Sequence, residues 1–341
     1  MSTREMKVAF LMMLVTFFIT LVTFNGSADA KTTLRMLGFL PAQHQLSKTG
    51  ELFIKEVEKN SNGEIEIQHF PAGQLYNHKN SVPVLQSGGV DLAMIFSGFW
   101  TGVVPSTEVV TFHGYFKNKA HMVAVMNGYP GEVINRDFQE KSNLKVIDWY
   151  NYGKDEVCSK EPITKLEDFK GKRIRASGVS QATWVVALGG APVSIDAGEV
   201  YQALQRGTID GAISGPSSFE TRKWYEVVKY GTDSNISPVC PYWIVMSMNS
   251  WNKLSPGLQK IIMDAGKKAQ AYNLDIADRE DMLSTEKIQK MGMVLNKISD
   301  KEQDRWREAS NDKLLELYKK AVGEGKAKKI FESVEELRKQ Y

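Results

Sequence analysis

The fold of this chain is decided by residues 165–216, which read KLEDFKGKRIRASGVSQATWVVALGGAPVSIDAGEVYQALQRGTIDGAISGP. The hydrophobic spacing predicts strands at residues 172–175, 191–195 and 209–213 and helices at residues 179–188 and 197–205. Gly189 and Gly207 follow the two helices, because glycine tolerates the left-handed conformation that ends a helix. This alternation of strands and helices predicts a parallel sheet in an α/β lobe.

Two polar side chains stand where strands of this sheet should end. Arg175 closes the strand at residues 172–175, and Ser214 follows the strand at residues 209–213. Open α/β sheets bind ligands beyond the carboxyl ends of their strands, and a guanidinium offers paired donors that match a carboxylate. A carboxylate site is one interpretation of Arg175. On the residues alone a structural salt bridge of Arg175 is the favoured interpretation, and Arg173 shares its strand face.

The composition describes an ordinary globular protein. The chain has 341 residues, with 42% hydrophobic and 24% charged residues and a net charge of +3, which suits two domains and gives no argument for nucleic-acid binding. The five histidines show no metal-ligand spacing, and the chain lacks a P-loop and a nucleophile elbow. We expect no metal, no cofactor and no catalytic activity. An enzyme of the cell envelope is therefore disfavoured.

The N-terminus has the features of an export signal. Arg4 and Lys7 precede an apolar run at residues 8–24, and Ala28-Asp29-Ala30 is a small-x-small cleavage site. We predict a signal peptide over residues 1–30, cleavage after Ala30 and a periplasmic mature chain. An uncleaved membrane anchor is the alternative, because the apolar run is near the lower limit for a membrane span.

A short internal repeat suggests two similar halves. Residues 85–93 and 204–212 both fit the pattern LQxGx(V/I)DxA, which predicts a helix end, a glycine cap and a strand entry. Two similar lobes facing each other would form a cleft, a preferred place for small-molecule sites. The alternative is that both segments use common α/β turn chemistry.

Two β-rich segments, at residues 144–159 and 238–247, suit crossings between such lobes. We expect lobe 1 at residues 31–153 and lobe 2 at residues 154–241. Amphipathic helices follow from Ser255 onward. We expect about residues 242–280 to complete lobe 1 and part of the C-terminal helices, at about residues 281–341, to complete lobe 2.

The chain has two cysteines, Cys158 and Cys240, and each lies on one of the predicted crossings. Because an exported protein meets an oxidising compartment, we hypothesise a disulfide between them. Two buried free thiols are the alternative.

Three motifs resemble the solute-binding proteins of tripartite ATP-independent periplasmic (TRAP) transporters, the DctP family. They are DFKGKRIR at residues 168–175, LGGAPV at residues 188–193 and EVYQALQRGTIDG at residues 199–211. The resemblance implies a two-lobed α/β fold, with long C-terminal helices, that closes by a hinge motion. It also implies a monomeric binding protein that captures an organic acid and delivers it to TRAP membrane permease subunits. A periplasmic sensor that presents its ligand to a receptor kinase is the alternative.

The resemblance also implies roles for single residues. The family's ligand-clamping arginine matches Arg175, and Ser214 stands where many relatives carry an asparagine that binds the same carboxylate. Asp155 stands where some relatives carry a second arginine; it could pair with Arg175, meet a ligand ammonium or be a solvated turn residue. Gln43, in the first loop, is a further candidate contact.

Aromatic residues at the expected strand ends and crossings form the last candidate cluster, although such side chains more often build core. They are Phe99, Trp100, Trp149, Tyr150, Tyr152, Phe219 and Trp243. With one arginine and an aspartate opposite it, the cleft is predicted to favour a bulky or aromatic monocarboxylate, or an aromatic amino acid. A small C4 acid bound through water, with the aromatic residues in the core, is the alternative.

Overall fold

The computed structural model describes residues 31–341, so the predicted signal peptide and its cleavage site lie outside the described residues. The strands are β1 (Thr32–Leu37), β2 (Ile65–Phe70), β3 (Leu92–Phe96), β4 (Leu144–Asn151), β5 (Glu156–Ser159), β6 (Arg173–Arg175), β7 (Ala191–Val193), β8 (Gly211–Ser214), β9 (Tyr230–Asp233), β10 (Pro241–Ser247) and β11 (Val294–Lys297).

The α-helices are α1 (Gln45–Asn60), α2 (Ser81–Gln86), α3 (Lys119–Asn127), α4 (Tyr129–Ser142), α5 (Val179–Ala187), α6 (Val200–Arg206), α7 (Pro216–Thr221), α8 (Met248–Trp251), α9 (Pro256–Lys290), α10 (Asp300–Val322) and α11 (Glu324–Arg338). None of the helices within residues 31–341 is both long and apolar enough to cross a membrane.

The strands form two mixed sheets. The first sheet has the order β2-β1-β3-β10-β4, and the second has the order β11-β9-β5-β8-β6-β7. In the first sheet β1 pairs in parallel with β2 and β3, whereas β10 runs antiparallel to β3 and β4. In the second sheet β6 pairs in parallel with β7 and β8, as the alternation in residues 165–216 predicts.

The chain passes between the sheets at the predicted crossings, from β4 to β5 and from β9 back to β10. The crossing segments bind each other: Tyr152 N donates to Cys240 O at 2.9 Å, and Cys240 N donates to Gly153 O at 2.8 Å. A further bond joins Asp155 N to Ser237 O at 3.1 Å. The two crossings therefore form a paired hinge rather than two independent linkers.

Helix α9 is a third connection. Ser255 caps it by accepting a hydrogen bond from Leu258 N, and Pro256 occupies its first turn, as the sequence predicts. Its buried residues recur every three or four positions, so one face packs on α1 and β4 and, farther along, on α7. The helix thus spans from elements beside the first sheet to elements beside the second.

The C-terminal helices pack beside both sheets. Helix α10 packs on α5 beside the second sheet, but α11 packs on α3 and α4 beside the first sheet. The buried face of α11 therefore meets helices of the first lobe.

The hypothesised disulfide is absent, since Cys158 and Cys240 are both buried free thiols. Cys158 packs with Val200, Leu204 and Ala212 in a cluster of the second sheet, whereas Cys240 packs with Tyr150 and neighbours of the first sheet. Lying on neighbouring crossings does not bring the two thiols together, because Cys158 lies in the core of the second lobe, whereas Cys240 packs on the first lobe and faces the space between the lobes.

Candidate functional site

A cavity lies where the two sheets face each other beside the hinge. In this conformation its free volume is small, about 30 Å³. Elements of the first lobe supply what we call the aromatic wall, formed by Phe39, Leu40, His78, Phe96, Phe99 and Tyr242. Elements of the second lobe supply the polar wall, formed by Arg175, Ser177, Gln181, Asp196, Ser214 and Arg222. Tyr152, Asp155 and Cys240 line the cavity from the hinge.

Arg175 reaches the cavity from the carboxyl end of β6 and is 3% exposed. Its Nε donates to Ile195 O at 3.3 Å, and its Nη1 donates to Ile213 O at 3.2 Å. Among the described residues no carboxylate lies within salt-bridge distance of this guanidinium, and its Nη2 makes no hydrogen bond. Burial lowers the pKa of Arg175. Two backbone carbonyls, one in β8 and one just after β7, thus orient a buried cation that still has free donors.

Ser214 stands beside Arg175 at the end of β8 and contacts Tyr152. The Tyr152 hydroxyl accepts a hydrogen bond from Gly215 N at 3.1 Å and lies 2.7 Å from Ser214 Oγ. Burial raises the pKa of Tyr152 to about 12, so its phenol keeps its proton and can donate it to Ser214. In that arrangement the Ser214 proton is available to an acceptor in the cavity.

Asp155 is buried at the hinge, so it is not a solvated turn residue. Its Oδ2 accepts a hydrogen bond from Gln181 Nε2 at 2.9 Å and lies 4.0 Å from His113 Nε2. Burial raises the pKa of Asp155 to about 7, although the nearby Arg175 opposes this shift. His113 is neutral near pH 7, because burial lowers its pKa to about 4. Asp155 forms no salt bridge with Arg175. With a pKa of about 7, its carboxyl group is partly protonated at neutral pH.

Arg222, which the sequence reasoning missed, is a second cation of the polar wall. It follows α7, and its Nη2 donates to Phe39 O at 2.7 Å across the cavity. Its Nε is buried and has no hydrogen-bond partner within the described chain. Burial lowers the pKa of Arg222. The sequence feature that could have predicted a role for Arg222 is its position, one short helix after the predicted ligand contact Ser214.

The aromatic wall is a stacked set of rings. His78 stacks on Phe39 with ring centroids 4.1 Å apart, and Tyr242 stacks on Tyr152 at 5.3 Å and on Phe96 at 5.5 Å. His78 Nε2 accepts a hydrogen bond from Phe96 N at 3.0 Å. Burial and the charges of the two wall arginines lower the pKa of His78 to about 3, so the ring is neutral. The wall therefore presents flat, uncharged surface.

The structure brings only part of the predicted set to the cavity. Arg175, Ser214, Asp155, Phe99 and Tyr152 line it. Whether they bind a ligand stays a prediction.

Five other predicted residues do not line the cavity: Trp100, Trp149, Tyr150, Phe219 and Trp243. Trp243 is fully buried against Phe138, because side chains alternate along β10 and its neighbour Tyr242 takes the cavity side. Trp149 lies opposite Trp243 in the adjacent strand. Phe219 packs on Trp224 in the core of the second lobe. For these residues, the alternative that aromatic side chains build core is the correct one.

Gln43 is exposed and also lies outside the cavity lining. The neighbouring Gln45 is buried instead, and its Nε2 donates to Asn151 O at 3.0 Å and to Tyr152 O at 2.7 Å. The first loop therefore supports the hinge backbone through Gln45, two positions from the predicted contact.

A buried Ser–His contact lies near the cavity without forming a nucleophile–base pair. Ser217 Oγ lies 3.0 Å from His44 Nε2, and His44 Nδ1 accepts a hydrogen bond from Leu46 N. Because Nδ1 accepts, the neutral ring carries its proton on Nε2 and donates to Ser217. Burial lowers the pKa of His44 to about 3. The geometry gives Ser217 no general base.

The two lobes touch at the cavity mouth. A Cβ at Gly178 would lie 2.7 Å from Gly98 Cα and 2.8 Å from Gly98 O, so only glycine permits this backbone approach. Lys79 Nζ also donates to Ser194 O across the mouth at 2.9 Å. These contacts describe a closed cavity between the lobes.

Comparisons with known proteins agree with this architecture. Residues 38–321 match the family model described as DctP, bacterial extracellular solute-binding protein, family 7. A solute-binding protein of Sulfitobacter sp. (strain NAS-14.1) is 28% identical over 299 residues, which cover 87% of this chain and 87% of that protein.

Two solved structures are also similar. A TRAP periplasmic solute-binding protein from Sulfitobacter sp. NAS-14.1 with bound β-D-galacturonate has a TM-score of 0.82 and 25% identity, and the match covers 88% of this chain and 98% of that one. One from Sulfurospirillum deleyianum with bound succinate has a TM-score of 0.81 and 26% identity, with the same coverage. The predicted two-lobed α/β fold is confirmed.

Proposed function

The chain belongs to the DctP family of bacterial extracellular solute-binding proteins, as its motifs predict, and on this basis we propose that it is the periplasmic solute-binding subunit of a TRAP transporter. In this role it captures an organic carboxylate in the cavity between its lobes and delivers it to membrane permease subunits. The similar proteins whose structures contain galacturonate and succinate support an acidic ligand.

The observation that carries the proposal is the buried, unpaired guanidinium of Arg175. A buried cation without a counter-charge is costly, and a carboxylate that binds its free donors removes this cost. The planar fork of the guanidinium can make two parallel hydrogen bonds to one carboxylate. The hydroxyl of Ser214 lines the same end of the cavity and supplies a further donor.

The remainder of the ligand would lie against the aromatic wall. Flat rings such as Phe39 and Phe99 gain from burial of apolar area, at about 25 cal/mol per Å². Closure of the lobes follows from ligand contacts with both walls, because a ligand shifts a conformational equilibrium only through its differential affinity for the two states.

Calorimetry on wild type and Arg175 variants tests this proposal. A panel of organic acids is first screened by thermal shift, since a ligand at 100 times its Kd adds about 2.7 kcal/mol of stability. Arg175→Ala is expected to lose about 2–5 kcal/mol of binding to the best acid, about 30-fold to several-thousand-fold in Kd. Arg175→Lys should restore little, because an ammonium lacks the paired fork.

The matched control is Arg173→Ala, two residues earlier on the same strand. Arg173 is exposed and pairs with Asp210 outside the cavity, so its replacement should leave binding unchanged. Near-wild-type affinity in Arg175→Ala, or equal losses in the two variants, would contradict a role of Arg175 as the carboxylate anchor.

A further inference from the structure

Asp196 adds a carboxylate to the polar wall, beside the two guanidinium groups. Arg175 Nε donates to the carbonyl of Ile195, the residue before Asp196, so the two side chains start from neighbouring points of the wall. Burial lowers the pKa of Arg175 and of Arg222, and the charge of Asp196 opposes this shift in both groups. Asp196 therefore acts on both cations, although neither forms a salt bridge with a carboxylate of residues 31–341.

The local turn uses one oxygen of Asp196 and leaves the other without a partner. Oδ1 accepts a hydrogen bond from Gly198 N at 3.0 Å, and Asp196 N donates to Glu199 Oε2 at 3.0 Å, just before α6. Oδ2 is buried and has no hydrogen-bond partner among the described residues. The carboxylate is therefore a negative charge held in place by the turn, rather than one half of an ion pair.

The charge of the cavity at neutral pH comes mainly from Asp196 and the two arginines. Burial and the charges of the arginines lower the pKa of His78 to about 3, so this ring is neutral. The phenol and thiol groups of the cavity keep their protons, because burial raises their pKa. Burial also raises the pKa of Asp155 to about 7, so this group adds only part of a negative charge.

Two guanidinium charges and one carboxylate leave at most one positive charge on the polar wall. One carboxylate of a ligand balances this charge. A second ligand carboxylate would give the closed cavity an excess of negative charge, which is costly away from water because charges interact strongly at low dielectric constant.

We propose that Asp196 is a specificity-determining residue that limits the ligand to one negative charge. This inference rests on the proposed function and adds to it a selection against dianions. The sequence also predicts a monocarboxylate, but it does so from Asp155, whose carboxylate is partly protonated and accepts a hydrogen bond from Gln181 at the hinge. In the cavity, Asp196 already compensates part of the charge of Arg222, so a second carboxylate gains little there and is repelled by Asp196.

The variant Asp196→Asn tests this role, because asparagine keeps a side-chain oxygen for Gly198 N and removes only the charge. Calorimetry at one pH near neutrality compares two pairs of acids that differ by one charge: succinate with monomethyl succinate, and galactarate with galacturonate. In wild type the monoanion of each pair should bind at least about tenfold more tightly. Asp196→Asn should strengthen the binding of both members, and the gain for the dianion should exceed the gain for the monoanion at least about tenfold.

The matched control is Glu199→Gln, which removes a negative charge from the same turn. Glu199 is exposed and lies outside the cavity lining, so this variant should leave the affinity ratio of each pair unchanged. Equal changes of the ratio in Asp196→Asn and Glu199→Gln would assign the effect to general surface charge and overturn the proposal. An equal loss of affinity for both members in Asp196→Asn would also overturn it, since such a loss indicates that Asp196 only holds the turn.

The proposed function and this inference fail in different ways. If Arg175→Ala weakens the binding of every acid and Asp196→Asn favours the dianions, both stand. If Arg175→Ala weakens binding but wild type binds dianions as tightly as monoanions, or neither dianion binds to Asp196→Asn, the inference alone is wrong. If no acid in the panel stabilises the wild-type protein and Arg175→Ala changes nothing, the proposed function itself is wrong.

Discussion

The two walls of the cavity grow from the same local structure and end in opposite chemistry. In the repeat LQxGx(V/I)DxA, Gly88 has φ of 74° and Gly207 has φ of 73°, and each glycine links a helix to a strand of a different sheet. The strand of the first lobe ends at Phe96 and leads into Phe99, whereas the strand of the second lobe ends at Ser214. The same turn geometry therefore recurs in both lobes, while the residues at and just beyond the following strand contribute to an aromatic wall in one lobe and to a polar wall in the other.

This difference gives the walls separate tasks. The polar wall holds the guanidinium groups, whose unmet hydrogen bonds favour an anion. The aromatic wall holds neutral rings, which contribute contact area but do not require the ligand to form oriented hydrogen bonds. We expect the polar wall to determine ligand charge and the aromatic wall to determine the shape of the ligand's body.

The largest expected effect separates wall aromatics from core aromatics. Trp243→Ala should lower the free energy of unfolding by about 3–5 kcal/mol, because a fully buried indole leaves a cavity. Phe99→Ala should cost less stability, since Phe99 is only partly buried, but it should weaken ligand binding. Chemical denaturation and calorimetry on both variants measure the two effects. A Trp243→Ala protein that kept its stability but lost ligand binding would indicate that Trp243 contacts the ligand.

The next effect concerns the contact between the lobes. Gly178→Ala places a methyl group 2.7 Å from Gly98 Cα, and overpacking of this kind costs about 1–3 kcal/mol. Because the clash exists only when the lobes meet, ligand affinity should fall about 5- to 150-fold while the unliganded protein keeps its fold. Gly102→Ala is the matched control, as no atom lies within 4 Å of its added methyl group. Unchanged affinity in Gly178→Ala would mean that binding does not require this contact.

The smallest expected effect is a pH dependence from Asp155. Its pKa of about 7 means that the carboxylate becomes charged as pH rises through neutrality, next to the anion site. An anionic ligand disfavours this charge, so the complex holds the proton more firmly and affinity should fall as pH rises from about 6 to 8.5, by less than about tenfold. Calorimetry across this range measures the slope. Asp155→Asn should flatten it, and a slope that persists in this variant would assign it to another group.

Asp155 has a matching effect on the stability of the unliganded protein. The folded-state pKa lies above the ordinary value of 3.8, so the folded protein binds more protons between these two values. The contribution of Asp155 to stability is therefore present below about pH 4 and is lost as pH rises through about 7. Asp281 accepts a hydrogen bond from Lys154 N in the hinge, and burial raises its pKa to about 7. Its contribution to the stability of the unliganded protein therefore also decreases as pH rises through about 7.

The sequence by itself determined the features that depend on local order along the chain. The alternation of strands and helices in residues 165–216 predicts the parallel part of the second sheet, because hydrophobic periodicity and glycine caps are local properties. The carboxyl ends of strands follow directly from that alternation, and so Arg175 and Ser214 could be placed at one site. The family motifs lie in the same stretch.

Only the tertiary structure decided which side chains face the cavity. Side chains alternate between the two faces of β10, so either Tyr242 or Trp243 can face the cavity, but not both. Because β10 is apolar on both faces, its sequence does not indicate which of the two does so. Arg222 lines the cavity from the end of α7. Cys158 lies in the core of the second lobe, whereas Cys240 packs on the first lobe and lines the cavity. These outcomes depend on how distant elements pack, because burial and facing are properties of the assembled lobes rather than of any single segment.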